Sequence, residues 1–409
     1  MEKLIGNAIV GQSGGPTAAI NATLSGVIRG ALGSDAIGKI YGARNGIEGV
    51  LARRLIDLSE MTESDLSLLE NTPAAALGSC RKKLPADFEG KNRKIFEDII
   101  EVFREYDIRY FFYIGGNDSM DTVAKLSRFT KEIGYEMRVM GVPKTIDNDL
   151  AGTDHTPGYG SAAKYIAATM QEILRDTAVY TVKAVTIVEI MGRDAGWLTA
   201  AAALPSLCCN VAPDLVYLPE VAFDYEKFYE DVEKAFEKHP NVVIAVSEGI
   251  RTAEGVYVGE GTQSGATDAF GHKYLSGTGK ALEIAVKEKF GCKVRSIELN
   301  LPQRCASHLA SKTDLDESVA IGRHAVCRAS LGETGKMAIF KRTQNDPYEV
   351  SVDTADISGI ANAVRSVPRN YINERGNNVT DECLSYIAPL IIGEPTLVFE
   401  GGLPKHFSF

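Results

Sequence analysis

Short apolar runs alternate with segments of helical period along this chain, and that alternation constrains the fold more than any other feature. The runs, each followed by glycine or acidic residues, are residues 8–10, 110–114, 138–142, 185–190, 215–218 and 242–246. Between them, apolar side chains share helical faces, namely Ile20, Leu24, Val27 and Ile28; Ile95, Ile99, Val102 and Phe103; and Ala163, Ile166, Met170 and Ile173. This pattern predicts an α/β fold with mainly parallel sheets. Ligands of such folds bind at the carboxyl ends of strands, where several unusual residues occur.

The first strand end carries residues 11–16, GQSGGP, which also open a helical segment. Free backbone N–H groups and the helix dipole suit this position to a phosphate. The segment matches neither G-x-x-x-x-G-K-[ST] nor G-x-G-x-x-G, the two best-known nucleotide loops. Taken alone, it is consistent both with a phosphate site and with a tight turn.

Residues 115–119, GGNDS, repeat this arrangement after the strongly apolar YFFYI run. The two glycines let the backbone approach a ligand, and the side chains of Asn117 and Asp118 can hold a cation or a water molecule. A helix N-cap formed by Asn117, Asp118 or Ser119 explains the same residues. Both interpretations are open for this segment alone.

Residues 143–149, PKTIDND, are the most informative segment, because they place Lys144, Asp147 and Asp149 together at another strand end. A kinase needs a carboxylate that accepts the proton of the attacking hydroxyl, cations that neutralise phosphoryl charge, and a metal ion. The segment contains residue types for all three tasks. Three such loops on one predicted sheet therefore favour phosphoryl transfer over three ordinary turns.

Candidate substrate ligands follow strand ends in the second half of the chain. Arginine suits bidentate recognition of phosphate, and a glutamate at such a position suits hydrogen bonds with sugar hydroxyls. The candidates are Met191, Gly192, Arg193, Glu248, Arg295 and Arg304.

The ordered set GGP, GGNDS, PKTIDND, MGR, SEG and QR resembles the phosphofructokinase family from Gly11 to about Arg304. The resemblance implies fructose 6-phosphate as the acceptor, its 1-hydroxyl as the nucleophile, Mg²⁺ as the cofactor, and a glycolytic or gluconeogenic reaction. It implies that Asp147 accepts the proton, and that Gly14 and residues 115–119 hold the donor phosphates. The sugar phosphate would be bound by Thr145, Asp147, Met191, Gly192, Arg193, Glu248, Arg295 and Arg304.

Two positions indicate the phosphoryl donor. ATP-dependent members of the family typically have glycine where this chain has Asp118 and Lys144, whereas pyrophosphate-dependent members have aspartate and lysine. A carboxylate at Asp118 would repel the α-phosphate of ATP, and Lys144 supplies positive charge to the leaving phosphate. We therefore assign catalytic roles to Asp147, Lys144, Asp118 and Arg193, with pyrophosphate as the donor. An ATP-dependent enzyme that tolerates Asp118 is an alternative, as is a non-catalytic regulatory subunit, although such a subunit should have lost Asp147 or Arg193.

Several positions depart from the family pattern. Asn117 stands where the metal loop usually has aspartate, so Mg²⁺ would be held by Asn117 weakly or through water, by Asp149, or by pyrophosphate itself. Leu301 stands where His or Tyr is usual, and Ala184 where an arginine is usual. These changes leave open whether sedoheptulose 7-phosphate is also an acceptor. The arginine at the position of Arg295 comes from a neighbouring subunit in the family, which implies a homodimer or homotetramer with shared active sites.

Composition argues against nucleic-acid and membrane partners and indicates where in the cell the protein is found. The formal net charge of -10 disfavours nucleic-acid and anionic-membrane partners. The 7 cysteines have no ligand spacing, the N-terminal segment does not resemble a signal peptide, and no apolar stretch is long enough for a bilayer, so we expect a soluble cytoplasmic protein.

We expect two α/β lobes with the site between them. Residues 1–155 would bind the donor, with part of about 305–360 returning to that lobe. Residues 156–304 would bind the sugar phosphate, with part of about 361–409. The Gly-, Thr- and Ser-rich residues 253–278 are interpreted as an exposed loop or, alternatively, a substrate lid.

Overall fold

The computed structural model describes residues 3–260, 277–360 and 363–409, which form two mainly parallel sheets covered by helices and one short antiparallel pair, β12 and β13. The predicted α/β fold class is confirmed, and each predicted apolar run forms a strand. The strands are β1 (Gly6–Gln12), β2 (Ile37–Ala43), β3 (Leu55–Asp57), β4 (Ile108–Gly115), β5 (Arg138–Pro143), β6 (Ala184–Ile190), β7 (Leu215–Tyr217), β8 (Asn241–Ser247), β9 (Lys293–Glu298), β10 (Lys336–Asn345), β11 (Tyr348–Asp356), β12 (Phe399–Glu400) and β13 (Leu403–Pro404).

The helices connect and cover these strands. Those predicted from helical faces are α1, α4 and α6, whose apolar stripes are buried against the sheets. The α-helices are α1 (Ile20–Leu32), α2 (Gly46–Leu51), α3 (Glu63–Glu70), α4 (Gly90–Glu105), α5 (Asn117–Glu132), α6 (Tyr159–Thr177), α7 (Trp197–Ala200), α8 (Pro205–Cys209), α9 (Tyr225–Phe236), α10 (Thr278–Phe290), α11 (Pro302–Cys305), α12 (Lys312–Ser330) and α13 (Asp381–Ile387).

The larger sheet has the strand order β11–β10–β5–β4–β1–β2–β3. Its central strands pair in parallel, while β3 and β11 run antiparallel at the two edges. Strand β4 is buried along almost its whole length because helices cover both faces of the sheet, which explains its continuous apolar sequence. Strands β10 and β11 join this sheet from late in the chain.

The smaller sheet has the order β7–β8–β6–β9 and is parallel throughout. Strand β9 lies at its edge, with alternating exposed and half-buried residues. One face of this sheet packs with α6 and with apolar residues of segment 367–391. Phe407 and Phe409 instead pack against the core of the larger sheet, so the final residues contact both sheets.

All 7 cysteines are free in the structure. No helix among the described residues is long and apolar enough to span a membrane. Residues 261–276, the centre of the segment interpreted as a loop or lid, lie outside the described residues.

Candidate active site

A cavity of about 870 Å³ opens where the carboxyl ends of the two sheets face each other. It is lined by residues that follow strands of both sheets, as expected for ligand sites in parallel α/β folds. The predicted residues that line it are Gly14, Asn117, Asp118, Lys144, Thr145, Asp147, Asp149, Met191, Arg193, Glu248 and Arg304.

The loop after β1 is shaped around Lys144. Gly14 has a φ of 80°, a left-handed conformation that glycine adopts without strain, and a Cβ there would lie 3.1 Å from the Lys144 Nζ. The Lys144 Nζ donates a hydrogen bond to the carbonyl oxygen of Gly15 at 2.7 Å. The side chain is 2% exposed, and burial lowers the pKa of Lys144 to about 8, although Asp147 opposes this effect. A cation is therefore held directly beneath the glycine loop.

Asp118 lies in the first turn of α5 and faces the same part of the cavity. Gly116 is the N-cap of this helix and no side chain caps it, so the alternative in which Asn117, Asp118 or Ser119 is merely an N-cap is wrong. The Asp118 Oδ1 pairs with the Lys83 Nζ at 2.9 Å, and both side chains are partly exposed. The carboxylate is available to a ligand in the cavity and to the α5 dipole.

Arg81 and Lys83 also line the cavity, and sequence analysis missed both. They lie in the coil between α3 and α4, which follows neither an apolar run nor a helical face. The available signal was the basic run of residues 81–83 after a glycine, in a chain whose net charge is -10. These residues add two cations to the side of the cavity that holds Lys144.

The loop of residues 145–149 brings two carboxylates into the cavity. Thr145 Oγ1 accepts a hydrogen bond from the Asp147 backbone N–H at 3.1 Å and lies 3.4 Å from Asp147 Oδ2. Burial raises the pKa of Asp147, against the opposing effects of Lys144 and Arg193. Burial, together with the neighbouring Asp147, raises the pKa of Asp149 to about 7. A carboxylate whose pKa is raised is a better proton acceptor at neutral pH.

Asn117 and Asp149 fit a hard cation. The Asn117 Nδ2 donates to the Asp149 Oδ2 at 3.4 Å, while the buried Asn117 Oδ1 has no hydrogen-bond partner among the described residues. An unsatisfied amide oxygen beside a carboxylate matches the oxygen ligands that Mg²⁺ prefers. In the described part of the chain, no group of three or more His, Cys, Asp and Glu side chains could hold a metal ion. Water and donor phosphate oxygens would have to complete the coordination.

The second sheet contributes carboxyl groups held by backbone N–H groups. Gly192, with a φ of 134°, donates its N–H to the Glu248 Oε1 at 3.2 Å, and Gly279 donates to the Glu189 Oε2 at 2.7 Å. Burial raises the pKa of Glu248 to about 8 and that of Glu189 to about 7. Both carboxyl groups line the cavity, and Glu189 was missed by sequence analysis because it belongs to an apolar run.

The predicted arginines do not all reach the cavity. Arg304, on α11, lies with its Nη1 3.5 Å from the position of a Cβ on Gly15, so it extends to the glycine loop of the first sheet. Burial, together with Arg81, lowers the pKa of Arg304. Arg193 lines the cavity near Asp147, whose pKa it lowers. Arg295 does not line this cavity. It is exposed on the edge strand β9, where it and Lys293 line a small separate pocket.

This chain is similar to known proteins over almost its whole length. The phosphofructokinase family model matches residues 7–326. A pyrophosphate–fructose 6-phosphate 1-phosphotransferase from Halomonas elongata is 44% identical over 402 residues, which are 98% of this chain and 95% of that protein. The protein of the same name from Xanthomonas campestris pv. campestris is 42% identical, with 98% and 96% covered. The crystal structure of a pyrophosphate-dependent phosphofructokinase from Nitrosospira multiformis superposes with a TM-score of 0.88 at 39% identity, covering 98% of this chain and 95% of the other.

Proposed function

Because this chain belongs to the phosphofructokinase family, we propose that it is a pyrophosphate:fructose 6-phosphate 1-phosphotransferase. It transfers a phosphoryl group reversibly between pyrophosphate and the 1-hydroxyl of fructose 6-phosphate. The observation that supports the choice of donor is the buried Lys144 beneath the Gly14 loop, in the same pocket that Asp118 lines.

Charge explains why pyrophosphate fits and ATP does not. Pyrophosphate ends where ATP continues to its α-phosphate, and the Asp118 carboxylate repels a third phosphate there. Lys83, which pairs with Asp118, and Arg81 supply donors to the shorter anion. Lys144 neutralises the charge that develops on the leaving phosphate, and its position in a buried site strengthens that effect.

The reaction uses the Asp147 carboxylate as the proton acceptor. As the sugar O1 attacks the terminal phosphorus, Asp147 takes the hydroxyl proton and Arg193 neutralises the transferring phosphoryl oxygens. The O1–P bond forms, the bridging P–O bond breaks, and orthophosphate leaves with the electron pair. In the reverse direction Asp147 returns the proton to O1.

Asn117 and Asp149 would hold Mg²⁺, as the unsatisfied Asn117 Oδ1 supports. When bound, the ion neutralises charge on the donor phosphates. The sugar phosphate would be bound by Thr145, Met191, Gly192, Glu248 and Arg304. Because Glu248 is largely protonated at neutral pH, it can donate a hydrogen bond to a sugar oxygen without adding negative charge.

Arg295 would act in a neighbouring subunit. It is exposed on an edge strand and outside its own cavity, which supports a homodimer or homotetramer with shared sites. The larger sheet would be the core of the donor lobe and the smaller sheet that of the sugar-phosphate lobe. We place the enzyme in the cytoplasm, where the free thiols would stay reduced, and in glycolysis or gluconeogenesis.

The decisive experiment compares donors. Purified protein, fructose 6-phosphate and Mg²⁺ are assayed in parallel with pyrophosphate and with ATP, and fructose 1,6-bisphosphate with phosphate is assayed in reverse. We expect kcat/KM for pyrophosphate to exceed that for ATP by at least about 10²-fold, roughly 2.7 kcal/mol, and the reverse reaction to be measurable. Equal rates with the two donors would refute the choice of pyrophosphate.

A further inference from the structure

The backbone between Asp147 and Asp149 is held in place by residues from the C-terminal part of the chain. Asn148, between Asp147 and Asp149, is completely buried and has a φ of 53°, in the left-handed region. Asparagine tolerates this conformation better than most residues, but it still needs support from its surroundings. The dihedral angles of Asn148 set the directions in which both neighbouring carboxylates leave the loop.

The side chain of Asn148 is fixed at both ends. Its Oδ1 accepts the backbone N–H of Thr156 at 3.1 Å, and its Nδ2 donates to the hydroxyl of Tyr386 at 3.1 Å. The Tyr386 hydroxyl donates in turn to the carbonyl oxygen of Asp154 at 2.7 Å. One phenolic oxygen thus bridges the inside of the loop and the segment that follows it.

Tyr386 itself is held rigidly. Its side chain is 4% exposed, and its ring has the guanidinium of Arg342 4.3 Å from its centroid and that of Arg365 at 5.4 Å. Arg365 also contributes Nη2 to the Tyr386 hydroxyl at 3.3 Å. The two cation–π contacts stabilise the position of the ring, so the hydroxyl that binds Asn148 is held in place.

Arg365 also holds this loop, and it connects the loop to the second sheet. Its backbone N–H donates to the carbonyl oxygen of Asp149 at 2.7 Å, and its Nη1 donates to the carbonyl oxygen of Asn148 at 3.4 Å. We call Tyr386 and Arg365, with their contacts to this loop, the clamp. The Arg365 guanidinium lies 4.3 Å from the ring of Trp197, whose Nε1 donates to the Arg365 carbonyl. Trp197 begins the helix that follows the Arg193 loop, so the clamp joins elements from both sides of the cavity.

We propose that Tyr386 is a positioning residue for phosphoryl transfer: its hydroxyl, acting through Asn148, holds Asp147 in line with the attacking sugar hydroxyl. This inference rests on the proposed role of Asp147 as the proton acceptor. Misplacement of a catalytic group by about 1 Å can reduce turnover by about 10²-fold. A residue that only stabilised the fold would change the melting temperature instead.

The primary test is Tyr386→Phe, which removes one oxygen and keeps the ring. We expect kcat with pyrophosphate to fall about 10- to 100-fold in both reaction directions, with the KM values of pyrophosphate and fructose 6-phosphate within about threefold. The melting temperature should fall by no more than about 4 °C. Tyr371→Phe is the matched control, because this ring lies 5.9 Å from that of Tyr386 and its hydroxyl makes no hydrogen bond to any described residue.

A double-mutant cycle tests whether the effect passes through Asp147. In an Asp147→Asn background, Tyr386→Phe should lower the residual kcat by less than about twofold, because the group that it positions no longer accepts a proton. Asn148→Gly, which keeps the left-handed backbone but removes the link, should lower kcat as Tyr386→Phe does, and the two changes together should be no worse than either. The Asn148→Gly variant also answers the question if Tyr386→Phe does not fold.

Hydrogen exchange gives a readout that is independent of activity. Backbone amides of residues 145–150 should exchange about tenfold faster or more in Tyr386→Phe and unchanged in Tyr371→Phe. A kcat within twofold of wild type in both Tyr386→Phe and Asn148→Gly would overturn the inference, as would an equal loss in the Asp147→Asn background. An inactive wild-type enzyme with pyrophosphate would refute the proposed function instead, and the exchange measurement would still test the clamp.

Discussion

The two halves of the cavity, which we propose bind the phosphoryl donor and the acceptor, differ in their charged side chains. At the ends of the first sheet, Lys144, Lys83 and Arg81 surround the carboxylates with cations. At the ends of the second, Glu189 and Glu248 are buried carboxyl groups that accept backbone N–H groups, and burial raises their pKa values to about 7 and about 8. In the proposed reaction the donor half would neutralise a highly charged anion. The acceptor half would repel a phosphorylated sugar less than two free carboxylates would, because at neutral pH Glu248 is mostly protonated and Glu189 is partly protonated.

Asp147 lies where the two halves meet, so its replacement should have the largest effect. Asp147→Asn keeps the size of the side chain but removes the proton acceptor, and kcat should fall about 10²- to 10⁴-fold with little change in either KM. Steady-state kinetics in both directions measure this. Asp194→Asn is the control, because Asp194 lines the same cavity but pairs with Arg251 at 3.0 Å. An Asp147→Asn variant that retains more than about a tenth of kcat would show that the proton goes elsewhere.

Lys144 tests the cationic half. Lys144→Met removes a buried charge at similar length, and kcat/KM for pyrophosphate should fall about 10²-fold, about 3 kcal/mol, while KM for fructose 6-phosphate stays within about threefold. Because the pKa of Lys144 is lowered to about 8, the wild-type amine loses its charge above that pH. The wild-type kcat/KM for pyrophosphate should therefore decline above about pH 8, and Lys144→Arg should move the decline to higher pH. An unchanged pH profile in Lys144→Arg would assign the decline to another group.

Asp118 tests donor exclusion, with a smaller effect because its side chain is 34% exposed. Asp118→Gly should raise kcat/KM for ATP about tenfold, roughly 1.4 kcal/mol, and lower that for pyrophosphate by a similar factor. The gain should be partial, since the change opens space without building an adenine site. ATP use that stays undetectable together with unaltered pyrophosphate kinetics would remove Asp118 from donor selection.

Glu248 should give the smallest effect at neutral pH. A protonated carboxyl and an amide present similar hydrogen-bonding groups, so Glu248→Gln should change KM for fructose 6-phosphate by less than about threefold at pH 7. With its pKa raised to about 8, wild-type Glu248 ionises above that pH, and wild-type KM should then rise. The variant should lack this rise when pyrophosphate is saturating. A large loss already at pH 7 would mean that the ionised form binds the sugar.

The strands that were predicted most clearly from the sequence are those buried on both faces of a sheet. Strands β4 and β5 are buried between helices on both faces, so their sequences are continuous apolar runs. Strand β2, IGKIYGA, contains two glycines and a lysine, and the edge strands β9 and β11 are alternately exposed, so none stands out as an apolar run. Pairing with distant strands, not local sequence, makes these segments extended.

The residues of the site also fall into two groups, those that directly follow an apolar strand and those that do not. Lys144, Asp147 and Glu248 were predicted because they directly follow apolar strands, and the geometry brings them into one cavity. Their individual roles remain proposals. Lys83 and Arg81 lie in coil, and Tyr386 lies on a short helix far along the chain, so only the folded structure could place them beside the loops.

The pairing of β10 with β5 also has a consequence for the chain while it is being synthesised. Strand β10 covers the outer edge of β5, yet the ribosome makes it long after β5 has emerged. During that interval β5 has unpaired backbone groups on an apolar strand, the kind of edge that invites aggregation. The clamp formed by Arg365 and Tyr386 emerges later still. A nascent chain that stops short of Tyr386 can contain every residue that lines the cavity and still lack the hydroxyl that binds the Asn148 side chain.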